Sequence, residues 1–385
     1  MHATPRPHVR LDDLTGLTPL AAITMASDPR PIYAHLRQTW GPVVPVELDE
    51  GVPAWLVLDY SNVVRVLRDP TTFTRDVAAW RAFHDGRVTP GSGLHAFFSP
   101  RSNAYYTDGD RHTRLRAVVE DGFESIDERL LAREMRAMCN RMLTYAQDIF
   151  SNTERAVTAF LELNTMLDQL ITHRREHPSP DLLSAIVHHP ANLNTTELLD
   201  TAQMIMSAGH EMSVAWCTTT LQHLISNRDI HGRVTGGRLG VDEALNTVLV
   251  RASPTAHTPC RFTTTHTEIA GRTITKGDAI LTAVGEATDA AHRDADLWGI
   301  SDSQAYLAFG AGPHRCPADH ISRIIIKIAV EQALIRLPDL RLTVPADELG
   351  YTPSLFARSA PRLPIAFQPS RPHVPSRTPA GIFHT

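Results

Sequence analysis

The sequence predicts a mainly α-helical protein with small β-sheets, on three observations. Amphipathic and apolar helical stretches fill its middle and its C-terminal part. Strand-like runs are short and cluster near the N-terminus and around 255–283. A glycine-rich turn near the C-terminus leads straight into a last helix. At 385 residues, with 42% hydrophobic and 21% charged side chains, the chain is large enough to bury a substantial core around a cofactor. No internal repeat or linker divides it, so residues 1–368 are expected to form one domain, followed by a Pro-, Ser- and Arg-rich tail, 369–385, without structure.

The elements follow in order. GVPAWLVLDY, 51–60, has the β-branched and aromatic content of a strand, and SNVVRVL, 61–67, reads as a helix that Ser61 could cap. ERLLAREMRAMCNRMLTYA, 128–146, carries an amphipathic helical repeat. Residues 196–226, TELLDTAQMIMSAGHEMSVAWCTTTLQHLIS, read as a buried central helix interrupted near Ala208-Gly209. RFTTTHTEIAGRTIT and DAILTAV suggest short strands before a final helix over about 318–337.

Composition narrows the function. Lys plus Arg number 37 against 42 Asp plus Glu, a net charge of −5, and no basic block points to nucleic acid or an anionic membrane. Cys139, Cys217, Cys260 and Cys316 are too few and scattered for a disulfide framework and form no CxxC pair, which fits a reducing cytoplasm. The first residues, MHATPRPHVRLDD, have the pattern of neither a secretion signal nor a membrane anchor.

The chemistry concentrates in FGAGPHRCPADHIS, 309–322. Gly310 and Gly312 permit a tight turn and the close approach of backbone to a flat cofactor. Cys316 then falls at a helix N-terminus, where free amides and the positive dipole end favour thiolate over thiol. Phe309, opening the loop, is placed to shield the sulfur from water. A lone GxGxxxC also suits a surface cysteine after a turn, but FGAGPHRCPA matches FGxGxHxCxA at every defined position, Ala318 included, and in this it resembles the cysteine loop of the cytochromes P450. The resemblance extends over most of the chain.

It implies the cytochrome P450 fold, a haem b (iron protoporphyrin IX) cofactor, and Cys316 as the sulfur ligand of its iron, donating electron density while amide hydrogen bonds tune the reduction potential. TDGDRHTRLR, 107–116, resembles the family segment whose His and Arg, here His112 and Arg116, grip a haem propionate; one helical turn apart, both could reach one carboxylate. Arg261 and His314 match two further propionate contacts. DPTTFTRD, SPDLLSAIV and PRLPIAF resemble family segments without an assigned chemistry.

AGHEMS, 208–213, resembles the helix on the oxygen side of the haem. There Ala208 and Gly209 leave room for dioxygen, Glu211 corresponds to a proton-relaying acid, and Met212 stands where a threonine is usual. Ser213 is about 100° further round the helix and is a poor replacement for that hydroxyl. Methionine there equally suits packing of an irregular pocket. The family's buried Glu–Arg pair, ExxR, is also missing. Alignment on RASP puts Thr247-Val-Leu-Val250 in its place, whereas Glu243-Ala-Leu-Asn246 keeps only the acid; loss of both charges is the cheaper change. Between ERLLAR and HPSPDLL the chain is several dozen residues shorter than the resemblance leads one to expect, which would open or impair the substrate roof.

The resemblance implies oxidation of a specialised-metabolite substrate with dioxygen and two electrons. The electrons would come from a separate ferredoxin and ferredoxin reductase docking on the cysteine-loop side, with Arg315 contributing positive charge. Members that lack both the threonine and ExxR raise radical C–C or C–N coupling of an aromatic peptide or cyclic dipeptide as the alternative. Trp80, Phe83 and Trp216 are candidates for an aromatic pocket, with a core role the competing reading. A monomer is expected, and a non-catalytic haem-binding or partner-binding protein is the reading from another class.

Overall fold

The computed structural model describes residues 9–142, 153–295, 300 and 304–368. The expected tail and the last residues of the 128–146 helix lie outside them, at 369–385 and 143–146. The chain opens with β1 (Thr18–Pro19), α1 (Leu20–Met25) and α2 (Arg30–Trp40), then β2 (Val43–Asp49) and β3 (Val52–Val57), an antiparallel hairpin. α3 (Tyr60–Arg68), β4 (Phe73–Thr74), α4 (Arg81–His84) and α5 (Gly93–Phe98) lead to α6 (Gly109–Glu124), α7 (Glu128–Met142), α8 (Thr153–Glu176) and α9 (Leu182–Val187). The central α10 (Thr195–Ser226) is followed by α11 (Arg228–Thr235), α12 (Val241–Arg251), β5 (Thr258–Thr263), β6 (Thr267–Ile269), β7 (Arg272–Ile274) and β8 (Ala279–Thr282). α13 (Val284–Ala291), the cysteine loop, α14 (Asp319–Arg336), β9 (Arg341–Leu342) and β10 (Ile365–Ala366) complete it.

The main sheet runs β1-β2-β3-β8-β5-β4. β3 and β8 are its middle strands, paired in parallel through Trp55↔Ile280, and their near-continuous apolar sequences fit burial on both faces. Leu56, Trp80 and Phe262 belong to the core cluster on one side, and Trp55, Val57 and Phe73 pack with Val63 and Val66 of α3 on the other. Asp59, not Ser61, caps α3: its carboxylate accepts the Asn62 N–H at 3.0 Å, leaving Ser61 inside the first turn.

The helical side forms two further cores. α6, α8, α9 and α10 share Leu115, Ile171, Ile186 and Leu198. α10, α12 and α14 share Trp216, Leu245, Val248 and Ile326. On α6 the buried positions His112, Leu115, Val118, Val119 and Gly122 repeat at helical spacing, so His112 takes a place in the apolar stripe.

α10 starts with a capping box. Asn194 Oδ1 accepts the Glu197 N–H at 3.0 Å, and Glu197 accepts the Asn194 N–H at 3.1 Å. The interruption expected at Ala208-Gly209 does not occur, and the helix is continuous for 32 residues. It is also not buried throughout. Both ends are buried, whereas 206–211 meet little of the protein on any face. Its packed ends, rather than the propensity of its central residues, hold it straight. Among the described residues only α8 and the short α9 lie between α7 and α10, and Met166 and Leu170 of α8 and Met206 and Val214 of α10 are exposed. No helix among the described residues is long and apolar enough to cross a membrane.

Candidate active site

The cysteine loop is folded by its own backbone. Gly310 N–H donates to Leu307 O at 2.8 Å, Arg315 N–H to Gly312 O at 3.0 Å, and Cys316 N–H to Phe309 O at 2.8 Å. Gly310 and Gly312 have φ of +73° and +71°, which disfavours side chains. Gly312 also presses on α3: a Cβ there would sit 2.5 Å from Leu67 O. Cys316 precedes α14 by three residues, and burial pushes its thiol up. The Ala318 N–H, Arg116 and Arg315 oppose that rise, and Asp319 adds to it. The helix terminus alone therefore does not hold this sulfur as thiolate; a metal ion that displaces the proton would do so. Phe309 packs edge-on to Trp216 of α10 at 5.6 Å.

A second group gathers beside the sheet. β4 pairs with β5 through Thr74↔Phe262, and continuing that register sets Arg75 opposite Arg261. Both guanidiniums are buried. Arg261 reaches only carbonyls, Phe73 O at 3.3 Å and Leu67 O at 3.4 Å; Arg75 reaches Pro259 O at 3.3 Å and lies over the Tyr105 ring at 4.4 Å. The Nε atoms of both lack a hydrogen-bond partner among the described residues. Burial, with repulsion from Arg75, pushes Arg261 down to about 9. Asp108 accepts from Thr74 Oγ1 at 2.6 Å, Arg75 N–H at 2.7 Å and His314 Nε2 at 2.8 Å. Despite its burial these bonds hold its carboxyl far below the usual range. Burial pushes His314 down to about 3 against the pull of Asp108, so it is neutral. The His112 ring is 4.2 Å from that of His314, and its Nε2 also lacks a partner among the described residues.

Of the four residues matched to propionate contacts, His112, Arg261 and His314 therefore come together. Arg116 does not join them: its Nε bonds Glu120 at 2.7 Å and it lines the cleft on the Cys316 side. Sequence reasoning missed Arg75, Asp108 and Tyr105. Arg75 lies in DPTTFTRD, which carried resemblance but no assigned role, and Asp108 in TDGDRHTRLR, of which only His112 and Arg116 were assigned.

On α10, Ala208 and Gly209 lie in the exposed middle, and a Cβ at 209 would meet nothing within 4 Å. Glu211 is exposed as a residue, yet enough protein surrounds its carboxyl that desolvation raises its pKa, with His210 opposing. Met212 is half-buried and its Sδ accepts the Thr255 hydroxyl at 3.6 Å. Ser213 is half-buried on the next helical position. The aromatic-pocket reading fails for both tryptophans. Trp80 is core, stacked on Phe262 at 5.1 Å and edge-on to Phe98 at 5.1 Å, and Trp216 is core beneath Phe309. Phe83 packs partly buried against the same core and stacks on His95 at 5.5 Å.

Behind the cysteine loop, Thr247 and Val250 of α12 are fully buried and Thr247 Oγ1 donates to Glu243 O at 2.9 Å. The buried position of the missing charged pair is thus filled by neutral groups. Arg251, next along, donates to Asp289 at 3.1 Å and to Ala295 O at 2.9 Å, tying α12 to the end of α13.

A cleft of about 430 Å³ lies on the outer side of Cys316, between α6, the start of α7 and the start of α14. Each basic side chain in it faces an acid: Arg116 with Glu120, Arg315 with Asp319, and His320 with Glu128 at 2.7 Å. The expected positive contribution of Arg315 is offset locally, and Glu124 adds a further acid.

The residues fit a haem group. Two buried guanidiniums against one carboxylate, with an orphan imidazole nitrogen beside them, call for further carboxylate, as a porphyrin's propionates provide. Glycines keep the cysteine loop thin, and Ala208-Gly209 keep the facing helix small. No protein-family model matches the chain. It is 29% identical to the cytochrome P450 monooxygenase PikC of Streptomyces venezuelae, over 90% of this chain and 92% of that protein. It is 27% identical to the 2-hydroxy-5-methyl-1-naphthoate 7-hydroxylase of Streptomyces carzinostaticus, over 86% and 93%. The structure of CYP154A1 from Streptomyces coelicolor A3(2) superposes with a TM-score of 0.75 at 25% identity, covering 91% of this chain and 99% of that one. A thiol-bearing loop, a buried cationic group with unpartnered nitrogens and relatives along nearly the whole chain converge on one conclusion: the protein belongs to the cytochromes P450, oxidoreductases of the monooxygenase type that carry haem b.

Proposed function

We propose that this protein oxidises a small specialised-metabolite substrate, with Cys316 as the sulfur ligand of haem iron and residues 1–368 as a single haem domain. Its electrons come from a separate ferredoxin and ferredoxin reductase in the cytoplasm. The observation that carries the reading is that the Cys316 loop, through its own His314, meets the buried Arg75, Arg261 and His112, a cationic group that suits the carboxylates of a cofactor lying against the sulfur. The relatives named as acting on a naphthoate and on nocardicin C support a secondary-metabolite substrate.

Bound haem supplies an iron centre that activates dioxygen at the cost of two electrons. The protein's part follows from its own groups. Arg75 and Arg261 orient the cofactor through its carboxylates and are themselves neutralised by doing so. His112 offers Nε2 to the same group, while Asp108 fixes His314 from the other side. The Gly310–Gly312 turn sets Cys316, and its hydrogen bond to Phe309 O keeps the loop from relaxing away. Glu211, with its pKa raised, holds and releases a proton at the open middle of α10. Met212 offers no hydroxyl there, and the nearby hydroxyl is that of Thr255.

The missing hydroxyl favours a second outcome, oxidative C–C or C–N coupling of an aromatic peptide-derived substrate, for which oxygen insertion is unnecessary. Reconstitution with surrogate ferredoxin, reductase and NADPH, or with peroxide, tests the enzyme reading. Products carrying oxygen from dioxygen support hydroxylation, and dehydrogenated coupled products support the second outcome. A thiolate-type carbon monoxide spectrum with no turnover of any candidate would leave a haem-binding protein instead.

A further inference from the structure

Met212 stands where a threonine is usual and brings an oxidisable sulfur to that place on α10. Trp216, one helical turn later on α10, touches Phe309 of the cysteine loop at 5.6 Å. Positions 208, 212 and 216 share a helix face, so Met212 faces the same side as Trp216, one turn nearer the open middle. Ala208 and Gly209 put no bulk between it and that space. Its sulfur is held in place by the Thr255 hydroxyl at 3.6 Å. A thioether is the side chain most easily converted by two-electron oxidation, whereas a threonine at this position would be inert.

We propose that Met212 is a modification site: when no substrate is bound, the enzyme's own oxygen chemistry converts its thioether to the sulfoxide. The step balances as thioether plus dioxygen plus two electrons and two protons giving sulfoxide plus water. A lone pair on sulfur forms the S–O bond, the O–O bond breaks, and the second oxygen leaves as water. The electrons come from the same donor that serves substrate oxidation. The sulfoxide oxygen is a far stronger acceptor than the thioether, so the Thr255 hydroxyl turns to it, and the pocket gains a polar group where it had an apolar one. The inference rests on the monooxygenase reading above.

The protein supplies its own controls. Met25, Met166 and Met206 are exposed, so peroxide in solution attacks them before the half-buried Met212. The holoenzyme is reduced by surrogate ferredoxin, reductase and NADPH in air, without substrate and with catalase, then cleaved after Glu211 so that Met212 is separated from Met204 and Met206, and its peptides are weighed. Expected is a gain of about 16 Da on the Met212 peptide, at least about fivefold more frequent than on the three exposed methionines. The gain disappears when carbon monoxide blocks the iron, and the Met212→Leu variant shows none on that peptide. NADPH consumption with Met212 unmodified, or modified no more than the exposed three, overturns the inference while leaving the monooxygenase reading standing. Absence of a thiolate-type carbon monoxide spectrum in the starting protein overturns the reading itself.

Discussion

The two walls of the cofactor site are built to different standards. On the cysteine-loop and sheet side, the loop is fixed by backbone hydrogen bonds and two glycines in left-handed conformations, and Asp108 ties Thr74, Arg75 and His314 together beside Arg261 and His112. On the facing wall, 206–211 of α10 meet little protein, and Met212 is tied to Thr255 by a weak bond to sulfur. Holding the cofactor demands precision and tolerates no slack, while the oxygen-side wall is the part that a change of substrate can reshape. The wall that grips is also the one that kept its sequence motifs.

The contrast breaks first behind the cysteine loop. Val250→Arg places an unpaired charge at a fully buried position of α12 and is expected to cost about 3–5 kcal/mol, read as a lower urea midpoint; adding Thr247→Glu should recover part of that loss. If the single variant were as stable as the parent, α12 would not be packed as described.

Gly312→Ala comes next. Its Cβ would meet Leu67 O at 2.5 Å and its φ is unfavourable, so a loss of about 2–3 kcal/mol and reduced haem content are expected. On the facing wall Gly209→Ala should do the opposite. Its backbone is helical and its Cβ would meet no protein atom within 4 Å, so the haem-free protein is expected to gain about 1 kcal/mol in thermal unfolding. Equal signs for the two glycines would remove the contrast.

The pH dependence tests how dry the gripping side is. Burial pushes His257 down to about 4; its Nδ1 donates to Leu355 O and its Nε2 accepts from the Tyr33 hydroxyl, each at 2.8 Å. His314 is down to about 3. Each has a folded pKa below its unfolded one, so the stability it contributes is complete above pH 6.5 and is lost as pH falls toward those values. Each should cost about 1.4 kcal/mol per unit inside that window, read from urea midpoints at pH 7 and pH 5. Tyr33→Phe, which strands His257 Nε2, is expected to cost about 1–2 kcal/mol at pH 7.

The gripping wall was also the more legible in sequence, for a physical reason. The cysteine loop is local: its glycines, its histidine and its sulfur lie within eight residues, and the turn they form needs no distant partner. His112 could be read because it is both a motif residue and a member of an apolar stripe. Arg75 could not, because only the β4–β5 register puts it beside Arg261, and nothing in a threonine-rich stretch announces that pairing. The Thr255–Met212 contact joins residues far apart along the chain and was hidden in the same way. Propensity misled at two places: at Gly209, where packed helix ends override a weak centre, and at Ser61, where Asp59 offered a better-placed oxygen. Arg315 was read as contributing positive charge, and its pairing with Asp319, one helical turn on, offsets that charge locally.

The most direct measurement is the absorption spectrum of the reduced carbon monoxide complex for the parent protein and for Cys316→Ala, both expressed with ample haem. The parent is expected to show the red-shifted Soret band of thiolate-ligated iron, and the alanine variant to lack it. A parent protein that emerges without haem, or a variant whose iron spectrum is unchanged, would contradict the assignment of Cys316 as the iron's ligand.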